Sequence, residues 1–329
     1  MKHKHLLPTL LFAFALAACG GSDDDGYTPG PGEKPKPVNV NENKNITTSD
    51  YRYGRFEFPK LSNTNSVVII HTTNDNVDPD RINYCVEWDY QKKSQRWSCY
   101  QLTKSTTKQN TRRYEGNPQY PIDPDLARIN STYYFDRPSS DYAIDDYFWG
   151  SGFDHGHICP SYDRLYSREA NYQTFYLTNM QPQYNKFNAG LWLNMENFVQ
   201  KVASSLAATD TMWVCRGGTI GNVTINGVKE YGILQYIKDK LIVPKFFFST
   251  FIIKKNGQYG AFAFWALNEN KNRKNEYLNA YTLSIDELEK RTGIDFFCNF
   301  TDELENKLEA MTAENINTAW QNYEQFKKQ

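Results

Sequence analysis

The 329-residue chain reads as an α+β protein on three features of its sequence. Short runs rich in β-branched and aromatic residues, bounded by polar turns, give strands. Segments with apolar residues at helical spacing, one of them opened by a capping box, give helices. Strands and helices do not alternate strictly, which argues against a parallel βαβ architecture.

In chain order, residues 1–18 read as a secretory signal. Lys2 and Lys4 precede an apolar run, Leu6 to Ala17, too short to span a bilayer as a helix. Leu16-Ala17-Ala18-Cys19 resembles the lipobox of bacterial lipoproteins, in which the Cys carries the lipid. An ordinary signal peptide with a chance Cys is the alternative. Several acyl chains on Cys19 would anchor the chain in a membrane far more firmly than one. Residues 19–45 are Gly-, Pro- and Lys-rich with almost no large apolar side chain, the composition of a solvated tether. Asp23-Asp24-Asp25 resembles the acidic export signal of surface lipoproteins in the Bacteroidetes group, which implies an outer-membrane, surface-exposed location. A plain acidic linker has the same composition.

Residues 46–329 remain for the globular part. Aromatic residues make up 15% of the chain, enough to build a sizeable core. The net charge is -1, and the first 45 residues carry equal numbers of acidic and basic groups. The globular part therefore lacks the basic excess of many nucleic-acid binders, and any basic groove must be local.

Val67 to Thr72 reads as the first strand. Ile82 to Leu102 reads as two strands joined by a polar turn at Gln91-Lys92-Lys93-Ser94. Phe175 to Thr178, Thr211 to Cys215, Lys245 to Ile253 and Tyr259 to Trp265 read as further strands. Gly190 to Leu206 reads as a helix, with Leu191, Met195, Phe198, Val199 and Val202 at helical spacing. Ser284-Ile285-Asp286-Glu287 opens a helix that should stop at Gly293, and Thr301 to Phe326 reads as terminal helices.

Besides Cys19 there are five cysteines: Cys85, Cys99, Cys159, Cys215 and Cys298. If Tyr90 and Ser94 face each other across the turn, Cys85 and Cys99 also fall opposite one another, and a disulfide between them is expected. Cys159 is expected to be a buried thiol rather than a nucleophile.

Candidate chemistry is concentrated between Asp154 and Glu196. The first element is Asp154-His155-Gly156-His157. The second is Leu177-Thr178-Asn179-Met180-Gln181-Pro182-Gln183. The third runs Asn188-Ala189-Gly190-Leu191-Trp192 and on to Glu196. One His and one Asn make a poor zinc site. An Asn carbonyl oxygen suits a hard cation that keeps most of its waters, as magnesium does. A neutral imidazole nearby suits the activation of water near neutral pH. Taken alone these residues leave other roles open, since an Asn at a helix start is usually a cap.

In order and spacing the three elements resemble the DNA/RNA non-specific endonucleases of the ββα-metal type. Their motif is Asp-Arg-Gly-His, then an Asn in a strand, then Asn-x-Gly-x-Trp and a Glu on the following helix. Cys85 to Leu102 resembles the paired strands before that motif, Tyr114 to Asp125 the loop after them, and Leu283 to Phe297 the closing segment. The resemblance covers most of residues 65–300. It implies a ββα-metal fold with a central antiparallel-rich sheet flanked by helices. It also implies magnesium-dependent phosphodiester hydrolysis in DNA and RNA, with manganese as an alternative metal and little sequence preference.

Position by position, the resemblance makes His157 the general base and Asn188 the metal ligand. Glu196 would hold metal-bound water, Asn179 and Gln183 would shape the site, and Asp154 would fix the motif's loop. The departure is His155, where the family has Arg. Either His155 keeps part of the phosphate-binding role, or Arg112 or Arg113 serves, with Arg164 and Arg168 further candidates just past the motif. Trp149, Tyr166 and Trp192 are candidates for stacking on bases, although core packing suits each. Retention of His157, Asn188 and Glu196 favours an enzyme. The other reading is a weakened nuclease-fold surface protein that binds nucleic acid or another partner.

Overall fold

The computed structural model describes residues 40–62, 64–130 and 145–314. The leader, Cys19, the tether as far as residue 39 and the stretch after residue 314 lie outside them; residues 41–45, expected to belong to the tether, are instead bonded to the domain, with Asn45 buried and its Nδ2 donating to the Tyr53 and Pro59 carbonyls.

Thirteen strands are present among the described residues. They are β1 (Ser66–Thr72), β2 (Ile82–Asp89), β3 (Ser94–Leu102), β4 (Asp154–His157), β5 (Met180–Gln183), β6 (Thr211–Gly218), β7 (Asn222–Ile225), β8 (Val228–Tyr231), β9 (Ile233–Ile237), β10 (Leu241–Pro244), β11 (Phe246–Lys255), β12 (Gln258–Leu267) and β13 (Thr282–Leu283). The α-helices are α1 (Pro124–Ile129), α2 (Asp145–Phe148), α3 (Arg168–Gln173), α4 (Leu193–Ala203), α5 (Ile285–Thr292) and α6 (Asp302–Glu309). Seven strands form one antiparallel sheet in the order β1-β2-β3-β6-β11-β12-β13. Both α+β character and an antiparallel-rich sheet flanked by helices are thus as expected.

The central strands are buried on both faces, so they read as near-continuous apolar runs rather than as alternating ones. On β6, Met212 and Val214 join a core that includes Phe198, Val199 and Val202 of α4. Trp213 and Cys215 face the other way, into a core with Ile285 and Leu288 of α5 and Leu308 of α6. The period-two side-chain direction of a strand thus sorts one sequence run into two cores. Helix α5 has the expected ends. Ser284 Oγ accepts from the Glu287 N–H at 3.2 Å, and Gly293 closes the helix at φ 69°.

Two expectations need correction. Residues 175–178 are not a strand: Leu177–Asn179 is a 3₁₀ turn, and the strand begins at Met180. Phe175 and Leu177 are buried, so their apolar character reports burial rather than extension. The second correction concerns the cysteines. Cys85 and Cys99 are directly opposed, but the route differs, because Asp89 rather than Tyr90 faces Ser94 and a bulge between Glu87 and Trp88 restores the register. Both remain free, buried thiols. Opposed β positions hold Cβ atoms about 4.5–5.5 Å apart, wider than the ~3.8 Å mean of a disulfide. Cys215 faces Cys99 on the next strand, so three thiols lie side by side as small apolar side chains. Cys159 is also buried, as expected.

Candidate active site

The site is assembled on β4, β5 and the start of α4. β4 pairs antiparallel with β5, Asp154 opposite Gln183 and His157 opposite Met180. Gly156 is required by close approach: a Cβ there would lie 2.3 Å from Cδ of Gln183, whose side chain crosses beneath it. Gln183 and Asn179 are both fully buried. Asn179 Oδ1 accepts from the Cys159 N–H at 2.9 Å, and its Nδ2 donates to the carbonyls of Cys159 and Thr174. These two residues brace the wall from behind; neither lines the cavity.

A π-helical turn, Phe187–Trp192, precedes α4 and carries Asn188. In a regular helix, position 196 would stand about 80° round from position 188. The extra residue absorbed by the wider turn reduces this to roughly 20° and puts both side chains on one face. The Trp192 indole N–H donates to the His157 carbonyl at 3.2 Å, fastening the helix start to the end of β4. Asp154 Oδ2 accepts from Nδ2 of Asn188 and of Asn185, each at 2.9 Å. The amide of Asn188 is thereby turned so that its nitrogen faces Asp154 and its oxygen is left for another partner.

A cavity of about 600 Å³ is lined by His157, Asp154, Asn188, Glu196, His155 and Arg113, among others. His157 is 9% exposed, and its Nε2 has no hydrogen-bond partner. Burial, reinforced by the positive charge of Arg113, holds its pKa well below the usual 6.5. A hydrogen bond to the His155 backbone works against that shift and engages the other ring nitrogen. The ring is therefore neutral at pH 7 with the Nε2 lone pair available. Burial raises the Glu196 carboxyl to about 7, a shift that Arg216 opposes and Asp163 reinforces.

The candidate cations separate clearly. Arg113 lines the cavity, with its guanidinium 4.7 Å from the centre of the Phe175 ring. Arg112 and Arg168 are exposed and do not line it. Arg164 is buried over the Tyr100 ring and donates to the Gln101 carbonyl at 2.9 Å. His155 is stacked between Tyr120, 3.8 Å between ring centres, and Phe148, 4.0 Å. Among the aromatic candidates, Trp149 is 88% exposed beside the cavity, whereas Tyr166 and Trp192 are core residues.

Arg216 on β6 was not legible as a site residue. It is fully buried, with Nη1 3.8 Å from Glu196 Oε1 and Nη2 4.0 Å from Asp163 Oδ2. None of its side-chain nitrogens has a hydrogen-bond partner. The available signal was a charged residue ending an apolar strand run, Met212-Trp213-Val214-Cys215-Arg216.

The donor set fits a hard, hydrated cation. It offers one carboxamide oxygen already oriented by Asp154, with carboxylates nearby and no thiolate. A second cluster, His71, Asp123 and Asp125, brings three ligating side chains within 4.8 Å of one another. It does not line the cavity. His71 Nδ1 is 3.1 Å from Asp125, and Nε2 is at the ion-pair distance of 3.2 Å from Asp123 without hydrogen-bond alignment. Although burial opposes it, the two carboxylates raise the His71 pKa to about 9. Without a metal the imidazole is protonated at neutral pH, and an ion bound there would have to displace that proton.

Residues 62–303 match the sequence model of the DNA/RNA non-specific endonuclease family. A nuclease of Nostoc sp. is 25% identical over 259 residues, covering 76% of this chain and 84% of that protein. Nuclease C1 of Cunninghamella echinulata var. echinulata is 26% identical over 224 residues, covering 66% and 81%. Human mitochondrial endonuclease G is 28% identical over 165 residues, covering 50% of this chain and 54% of that protein. The crystal structure of the EndoG/EndoGI complex matches in fold, with a TM-score of 0.52 at 17% identity, covering 74% of this chain and 89% of that one. The chain belongs to the DNA/RNA non-specific endonuclease family.

Proposed function

We propose that this chain hydrolyses phosphodiester bonds in DNA and RNA with magnesium as its metal, manganese substituting, and His157 as general base. The observation that carries this reading is the His157 ring, neutral and with an unpartnered Nε2, on the same cavity as Asn188. Asn188 would hold the metal through its oxygen, with Asp154 fixing the amide and Glu196 holding water around the ion. When bound, such a metal stabilises charge on the phosphate and the departing oxygen. His157 takes the proton of the attacking water. Arg113 supplies the permanent positive charge for a phosphate, the role left open by His155. Trp149 offers an exposed ring to a base, a contact that tolerates any sequence.

The test is degradation of plasmid DNA and of RNA by the chelator-stripped protein, with and without added magnesium. Loss of both substrates only with metal supports the reading. A folded protein that cuts neither, yet retards them on a gel, would favour the binding protein instead.

We also propose that the chain is exported and anchored by lipid on Cys19, facing outward from the outer membrane. The charged start, the short apolar run, the lipobox-like Leu16-Ala17-Ala18-Cys19 and the Asp triplet support this. Cys19→Ala should move the protein from the membrane pellet to the soluble fraction, and its retention in the pellet would count against the anchor.

A further inference from the structure

On the face of the sheet away from the cavity, two short helices turn carboxylates toward one another. Asp286 and Glu289 come from α5, Asp295 from the segment after it, and Glu305 and Glu309 from α6. Candidate ligand oxygens of Asp286, Glu289 and Glu309 lie within 4.8 Å of one another, and so do those of Asp295, Glu305 and Glu309. Glu309 belongs to both sets. Like charges at these helical spacings are mutually destabilising, and burying them adds the cost of lost hydration.

The cluster is not a solvated acidic face. Glu305 is 4% exposed and Glu309 6%, and Glu309 Oε1 is buried with no hydrogen-bond partner. Among the described residues no cation is within ion-pair distance of any of the five, although the charge of Lys60 opposes the rise in the Asp295 and Glu305 pKa values. Arg291 bonds Glu287, and Lys60 Nζ donates to the carbonyls of Asn43 and Lys44. Asn43 Nδ2 donates to Asp295 at 3.1 Å and to Glu305 at 3.2 Å, while its own Oδ1 is buried and unpartnered. A buried carboxyl group with an unmatched oxygen is costly as an anion unless it takes up a proton or a cation completes it.

We propose that Asp286, Glu289, Asp295, Glu305 and Glu309 form a calcium site, separate from the catalytic cavity, that fastens α5, α6 and residues 41–45 together. The donors are all oxygens, which selects a hard cation over zinc or copper. Magnesium keeps most of its waters and takes one or two carboxylates, whereas calcium accepts six to eight oxygens, so a group of five carboxylates suits the larger ion. Asn43 links the site to the chain entering the domain, where Asn41 Nδ2 donates to the Cys298 carbonyl and the Asp302 N–H to that of Val40.

The test uses the full chain carrying Asn188→Ala, which removes the side-chain metal ligand in the cavity, after stripping with a chelator. Millimolar calcium should raise its melting temperature by about 2–6 °C, the scale expected for a ligand well above its dissociation constant. Glu309→Gln in the same background should abolish that rise. Equilibrium dialysis with radioactive calcium on the Asn188→Ala chain measures binding directly and does not depend on the second variant folding. No bound calcium, or a calcium-dependent rise that survives Glu309→Gln, would overturn the proposal.

Discussion

The carboxylate of Asp154 accepts a 2.9 Å hydrogen bond from Nδ2 of Asn188, so the first residue of one motif sets the direction in which the first residue of another offers its oxygen. Thirty-four positions separate them in the chain, and β4 and the π-helical turn bring them together.

Asp154→Ala should therefore weaken metal affinity by about 10- to 100-fold, the usual cost of losing the group behind a ligand. Asn188→Ala should weaken it further. In both, the melting temperature of the metal-free protein should change little. Calorimetric titration with magnesium or manganese checks this, and an Asp154→Ala protein that binds metal as well as the wild type would show that Asn188 needs no such support.

Arg113 and Arg112 are adjacent in sequence, but only Arg113 lines the cavity. Arg113→Ala should lower kcat/KM by about 10- to 100-fold, the scale of a lost hydrogen bond to a charged group. Arg112→Ala should stay within about twofold. Rates measured on one defined duplex at fixed salt decide it, and equal effects of the two substitutions would remove Arg113 from its role.

Arg216 stands 3.8 Å from the Glu196 carboxylate. Its charge opposes the burial that raises the Glu196 carboxyl to about 7. In the proposed mechanism Glu196 works ionised, so activity should fall on the acid side as it gains a proton, and Arg216→Met should move that limb upward by about one to three pH units. Activity lost at pH 7 should return in part at pH 9, and Arg216→Lys should lie between the two. A purely structural loss would lower the whole profile without moving its limb. His157, held well below 6.5, contributes at more acidic pH.

The His71 cluster predicts a pH dependence of stability. Asp123 and Asp125 hold the folded pKa of His71 near 9, against an ordinary value of 6.5. A raised folded pKa means that the stabilisation is complete below pH 6.5 and is lost as pH rises through 9. Its size is of order 3 kcal/mol from the linkage relation. His71→Gln should accordingly destabilise most at pH 6 and least at pH 10, read as the gap in melting temperature from the wild type. A gap independent of pH would contradict a protonated His71. Burial and mutual repulsion raise Glu289 to about 8 and Glu309 to about 10, so the acidic cluster also favours lower pH. Comparing variants isolates the share of His71.

Much of this was legible in the sequence because the signals were local. The runs at 66–72, 211–218 and 246–267 are rich in β-branched or aromatic residues, and Ser284 to Gly293 carries its own start and stop. Residues 175–178 misled because burial in a 3₁₀ turn demands the same side chains as a buried strand. Cys85 and Cys99 were placed opposite one another, but both are free thiols, because opposition alone does not set the geometry of a disulfide. Arg216 had no local signal of its role, because Glu196 and Asp163 reach it from other elements. The choice between Arg112 and Arg113 depended on which one the fold turns toward Phe175.

The most direct test of the account is the metal-dependent cleavage rate of His157→Ala beside the wild type, with folding checked by melting temperature. The variant should melt as the wild type does and bind metal normally, yet cleave about 100- to 10,000-fold more slowly, the range for loss of a general base. A His157→Ala protein that is folded, metal-bound and cleaves at near the wild-type rate would contradict it.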